Sequence, residues 1–269
     1  MEINYIIGYF LALLVGVSLG LIGSGGSILS LPILVYIMRV EPVLATAYSL
    51  FIVGITALVG GFKKVNEQLV DFKKAILFGI PTVIVVFITR IFIMPSIPNT
   101  IKITTGLFIQ KSAVIMIFFA IVMLFASMSM IRKSKEITVV SKAKLNYPVL
   151  ISQGIFIGFI AGFVGAGGGF LIIPALLYFA KTPIKMAVGT SFFIIASQSL
   201  IGFLADLQVK NVIDWQLLLL FTSMSITGFF IGNAIAKKMS GEKLKLVFGY
   251  FVLLMGVFIL VKEIFYSQS

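Results

Sequence analysis

Two short stretches hold the residue types that could bind a charged small molecule inside an otherwise apolar chain. The first is Gly23-Ser24-Gly25-Gly26-Ser27, within GVSLGLIGSGGSILSLPILVY (16–36). The second is Gly165-Ala166-Gly167-Gly168-Gly169, within GFIAGFVGAGGGFLIIPALLY (158–178). Glycine leaves no Cβ between a ligand and the backbone, so N–H groups can approach it closely. Each run leads into an apolar helical segment, so its last glycines stand at a helix N-terminus. Unpaired N–H groups and the positive end of the helix dipole there suit an anion. Ser24 and Ser27 add hydroxyl donors in the first turn, where the second has Ala166 and Gly169. The competing structural role is close helix packing by small residues. Two copies in register favour a ligand site over packing alone.

The duplication is direct: a constant offset of 142 residues from Gly16 to Phe62 gives 15 identities over 47 positions without a gap. Further polar residues pair at that offset in the next apolar segment: Ser49 with Ser191, Tyr48 with Thr190, Thr56 with Gln198. Ser191 and Gln198 are seven apart and share a helix face. Serine and threonine in apolar helices commonly bond to their own backbone. Gln198 is harder to dismiss, because an amide deep in lipid needs partners. Gln153 and Asn233 look unpaired in the repeat and rank lower. Among the charges, Asp206 is a candidate coupling acid. Arg90 reads as a charge near a helix end, where snorkelling explains it, and the membrane centre then lacks a cation. Asp71 and Asp214 match after a one-residue insertion and read as N-caps. Tyr5 and Trp215 read as interface anchors.

Composition limits the chemistry further. The chain has no histidine and no cysteine, which removes the commonest general base, thiol catalysis and thiolate metal sites. No paired-carboxylate centre sits in the apolar runs, so an enzyme lacks its parts, and no metal or cofactor is expected. Of 269 residues, 60% are hydrophobic and 11% charged. The net charge of +12 sits almost entirely between apolar runs, which fits loop bias in a membrane protein and not nucleic-acid binding. The N-terminus has no basic region or cleavage site and reads as the first membrane element.

The elements that must position these residues are membrane helices, since runs of about 18 or more apolar residues cross a bilayer and lack barrel alternation. The expected fold is all-α: a polytopic integral membrane protein of two inverted repeats, each a glycine-broken re-entrant hairpin plus three transmembrane helices. The first repeat covers 1–131, with a hairpin at 5–38 and spans near 42–62, 74–94 and 112–131. A basic linker, 132–146, joins it to the second repeat, 147–269, with a hairpin at 147–180 and spans near 184–205, 215–236 and 244–264. Pro81 and Gly79 are expected to bend the 74–94 span.

Charge selects the re-entrant arrangement. If each broken stretch enters and leaves on one side, 15 of the 21 Lys and Arg residues share a face and 6 lie opposite. If each crosses once, the bias vanishes. The positive-inside rule therefore places the linker in the cytoplasm and both termini outside the cell membrane. The arms after the turns, 27–38 and 170–180, are about 18 Å or less as helices, too short for a hydrocarbon core of about 30 Å. Inverted repeats with broken helices meeting near the midplane are a transporter architecture.

GLIGSGGSILSLPIL and GFVGAGGGFLIIPALL, each followed by Ala-x-x-x-Ser (Ala45–Ser49, Ala187–Ser191), resemble the TauE/SafE, or sulfite exporter, family of membrane transporters over nearly the whole chain. AVGTS in the second half fits the family pattern better than ATAYS in the first. The resemblance implies transport of a small sulfur oxyanion or organosulfonate such as sulfite. The substrate site would comprise Gly23, Ser24, Gly25, Gly26, Ser27 and Ser49 with Gly165, Ala166, Gly167, Gly168, Gly169, Thr190, Ser191 and Gln198. The expected partners are that anion and the bilayer. A passive anion channel is the alternative to a carrier.

Overall fold

The computed structural model describes residues 2–23, 27–104, 107–131, 147–208, 213–236 and 241–266. The linker 132–146 and residues Ser24, Gly25 and Gly26 lie outside them, as does the side chain of Ser27. Helix α1 (Glu2–Ile22) ends at Gly23, whose φ is +84°, and α2 (Ser27–Pro32) follows, running into a π-helical turn at Ile33–Ile37. Two longer helices come next, α3 (Pro42–Asn66) and α4 (Phe72–Ile88), and beyond a π-helical turn at Thr89–Ile93 the short α5 (Met94–Ser96). A small antiparallel hairpin, β1 (Thr100–Thr104) and β2 (Leu107–Gln110), leads to α6 (Lys111–Ile131). The second half repeats the order: α7 (Tyr147–Val164), α8 (Gly169–Tyr178), α9 (Ile184–Leu207), α10 (Trp215–Ala236) and α11 (Gly241–Tyr266).

Seven helices among the described residues are long and apolar enough to cross a bilayer, including Phe72–Ser96 taken as one span. The all-α, polytopic expectation holds in architecture, with one addition. The span expected near 74–94 runs helical from Phe72 through its π turn at Thr89–Ile93 to Ser96. The hairpin at 100–110 was not expected, since its few residues carry too little periodicity to stand out. The caps behave as read. Asp71 accepts from Lys74 N at 3.1 Å at the start of α4, and Asp214 accepts from Leu217 N at 3.0 Å at the start of α10.

Packing exchanges partners between the halves. Helix α1 lies along α10 of the second half, and α7 lies along α4 of the first. Helix α3 pairs with its counterpart α9, and α6 with its counterpart α11. Small residues make the exchanged contacts. A Cβ on Gly16 would stand 1.8 Å from Ser225 O, and one on the matching Gly158 would stand 2.7 Å from Thr82 O. Ser225 and Thr82 are themselves counterparts at an offset of 143, the one that aligns Asp214 with Asp71. Helices α3 and α9 run antiparallel: Leu50 meets Gly202, Gly54 meets Leu200, and Gly61 meets Phe193. Tyr48 Oη accepts from Asp214 N at 2.6 Å, and the matching Thr190 Oγ1 accepts from Asp71 N at 2.9 Å. Each half thus holds down the N-cap residue of the other's third long helix.

Candidate functional site

The second glycine turn is described in full. Helix α7 stops at Val164, and Gly165, Gly167 and Gly168 take φ of +72°, +65° and +56° before α8 begins. That left-handed geometry is accessible to glycine and strained for other residues. Leu171 N and Ile172 N donate to Gly168 O, so the N–H groups of Gly169 and Phe170 are the ones without a partner in the helix.

Arg90 stands against this turn. It is the largest fully buried side chain among the described residues, 1% exposed, and it lies within the π turn after α4. Its Nη1 donates to Thr46 Oγ1 and to Asp206 Oδ2, both at 2.9 Å. Its Nη2 faces the backbone of the turn: a Cβ on Gly165 would lie 2.4 Å away. Among the described residues, Nε and Nη2 have no hydrogen-bond partner. Buried guanidinium nitrogens without partners are costly, so they point to a group that completes them. This corrects the reading of Arg90 as an end-of-helix charge. The π turn carries it into the protein interior, against the second glycine turn.

The far end of the turn meets α9. Gln198 Nε2 donates to Gly167 O, while Gln198 Oε1 is buried and unpartnered. Ser199 Oγ is also buried and unpartnered, and it lies 2.8 Å from where a Gly167 Cβ would stand. Asp206 falls seven residues after Ser199, two turns along the same face of α9. One face of α3 closes the site with Thr46, Ser49 and Val53, spaced three and four apart. Val53 packs at Gly167, and Ser49 Oγ meets Ser30 Oγ of α2 at 2.5 Å.

The remaining sequence candidates fall into two groups. Gly165, Ala166, Gly167, Gly168, Gly169 and Gln198 are brought together, and Ser49 pairs with Ser30 of α2. Thr190 is engaged with Asp71 N, and Ser191 Oγ donates to its own helix at Val188 O, 2.8 Å away. Gly23 packs against Val188 of α9. Sequence reasoning missed Thr46 and Ser199 and undervalued Arg90. Carrying the offset of 143 from Asp71 and Asp214 one span further aligns Arg90 with Asn233. Asn233, read as unpaired, is therefore the counterpart of Arg90. It is 2% exposed with an unpartnered Nδ2, and it packs at Gly20 ahead of the first glycine turn. The second turn thus meets an arginine, and the matching position in the other half carries an amide.

A cavity of about 330 Å³ opens near this centre, lined by Glu41, Val43, Asn99, Thr100, Gln110, Lys111 and Ser112. Two of its walls lead directly to Arg90. Val43 O accepts from Thr46 Oγ1 at 2.8 Å, and Lys111 Nζ donates to Met94 O, about one helical turn beyond Arg90.

The chain matches the family model described as "Sulfite exporter TauE/SafE" over residues 9–259. It belongs to the TauE/SafE family. Its relatives are named in the same sense. The chain is 28% identical over 256 residues to "Probable membrane transporter protein" of Xylella fastidiosa, covering 92% of this chain and 91% of the relative. It is 25% identical over 290 residues to "Probable membrane transporter protein YunE" of Bacillus subtilis, covering 97% and 99%. No solved structure matches the chain. As a TauE/SafE member it is a multi-pass membrane protein and a membrane transporter.

Proposed function

We propose that this TauE/SafE protein is a secondary carrier of small anions, sulfite or an organosulfonate, working by alternating access. The two halves form inverted repeats in the cell membrane, with the linker 132–146 cytoplasmic and both termini outside. The exchanged packing and the antiparallel course of α3 against α9 support the inversion, since a twofold axis in the membrane plane reverses each helix onto its counterpart. The substrate sits at the midplane between the glycine turns. The observation that carries this reading is the Arg90 guanidinium, buried against Gly165 with two nitrogens unfilled.

The donor set suits a sulfonate-type head. Arginine forks pair with planar or pyramidal oxyanions through two parallel N–H bonds, and turn amides with the Ser199 hydroxyl supply further donors. Arg90 is already balanced in part by Asp206, which leaves little positive charge to neutralise a doubly charged ligand. Singly charged hydrogensulfite and alkylsulfonates are therefore preferred to sulfate. The cavity beside Lys111 forms the mouth on one side, and the closed packing around Arg90 is the occluded state.

Flux in proteoliposomes tests the reading. Labelled sulfite is taken up against internal unlabelled sulfite, with methanesulfonate, thiosulfate and sulfate as competitors. Saturable counterflow, inhibited by methanesulfonate at least tenfold more strongly than by sulfate, is expected. Large unitary currents without counterflow would indicate a channel, and no anion flux would end the proposal.

A further inference from the structure

Resting on that reading of the site, we infer that Asp206 is a built-in rival of the substrate: its carboxylate occupies part of the Arg90 guanidinium so that a bound anion can leave. The two side chains come from different halves, Arg90 from the π turn after α4 and Asp206 from the last turn of α9. They meet at 2.9 Å with side-chain exposures of 1% and 8%. Among the described residues no other ion pair is comparably buried: Lys64–Glu67 and Lys74–Asp71 have side-chain exposures of 13% to 27%.

The hydrogen bonding is lopsided. Asp206 takes only Nη1, which it shares with Thr46, while Nη2 stands unfilled against the glycine turn and Nε is buried without a partner. A carboxylate whose purpose was to satisfy the arginine would use the fork, as bidentate pairs do. Here it offsets the charge from the side and leaves the two remaining nitrogens open to a second anion. A lone buried guanidinium would hold any anion tightly, because releasing it strands a charge in a medium of low dielectric. With Asp206 in place, the empty site is already paired, and the anion gains only part of the Coulomb energy. Because the partners belong to different halves, the pair also ties the halves together in the unloaded protein. Binding an anion loosens that tie as Arg90 divides its charge between two acceptors.

Asp206 is thus a positioning residue that sets how long the anion stays, and its signature is a split between KM and kcat. Replacing it by asparagine keeps the shape and removes the rival charge. In Asp206→Asn, methanesulfonate and sulfite should bind at least tenfold more tightly by titration calorimetry, a change of about 1.4 kcal/mol. In counterflow, KM and the maximal rate should fall together, the pattern of a site that no longer destabilises its loaded state. Binding no tighter than in the parent protein would overturn the inference. Should the variant fail to fold, the unaltered protein supplies the test through its carboxylate infrared bands. The chain has three aspartates, Asp71, Asp206 and Asp214, and the other two are N-caps. With ¹³C-aspartate labelling, adding methanesulfonate should shift one carboxylate band, and no shift would equally overturn it. Arg90→Gln separates the two levels. If it loses binding while Asp206→Asn gains none, only the rivalry falls. If it keeps binding, the site and the rivalry fall together.

Discussion

Arg90→Gln is expected to reduce anion binding and flux at least a hundredfold. The variant removes the one cation that the described residues place against the second glycine turn, and with it the two nitrogens left open there. Truncating one member of a buried, hydrogen-bonded charge pair typically costs about 2–5 kcal/mol, which is well over tenfold in affinity. Part of that loss would be structural, since Asp206 would be left buried without its partner. The Arg90→Gln/Asp206→Asn double variant separates the two effects. It replaces the ion pair by a neutral amide pair of similar shape, a change that is often nearly neutral for stability. Its melting temperature in detergent should return close to that of the parent, while flux stays lost. Recovery of flux in the double variant would show that Arg90 serves the fold alone.

Gly165→Ala should be nearly as damaging, for a geometric reason. Its φ of +72° costs an L-residue about 1–2 kcal/mol. The added methyl would also stand 2.4 Å from both Arg90 Nη2 and Thr46 Cβ, and 2.8 Å from Thr46 Cα. The Thr46 backbone belongs to α3 and cannot yield locally, so the guanidinium is the part that moves. Flux should fall more than tenfold, with a lower melting temperature. Gly79→Ala in α4 is the matched control. Its methyl would meet only Ile194 Cγ1 at 3.7 Å, an ordinary contact, and transport should be unchanged. Equal transport in both variants, measured by counterflow at matched protein levels, would remove the turn from the site.

The contrast between those two glycines shows what could be read from the chain alone. The helix breaks were legible because Gly165–Gly169 is a duplicated run of residues that suit positive φ, flanked by uniform apolar helix. The N-cap roles of Asp71 and Asp214 were legible because capping is local. Arg90 was not, because its depth depends on a π turn at Thr89–Ile93, and no residue type in that segment marks a five-residue turn against a four-residue one. Ser191 and Thr190 looked equivalent as candidates, yet one bonds its own helix and the other reaches Asp71 of the opposite half. That difference is set by how the halves interlock, which periodicity within one helix does not encode. The alignment of Arg90 with Asn233 was available in principle. It required carrying a single insertion across one more span, where few identities remain to signal it.

The asymmetry between the halves also bears on mechanism. The first half sets a cation against the second glycine turn, and the matching position in the second half is the amide Asn233, so the halves contribute unequal charge. The cavity lined by Glu41 and Lys111 connects to this position through Met94 O, about one helical turn beyond Arg90.

The position of a bound anion is the most direct test of this account. Selenite resembles sulfite in shape and charge and scatters anomalously at the selenium edge. Crystals of the protein grown with selenite should show a selenium peak within hydrogen-bonding distance of Arg90 Nε or Nη2 and of the amides of Gly165–Gly169. A selenium peak elsewhere in the membrane-embedded region, with the Arg90 nitrogens left empty, would contradict it.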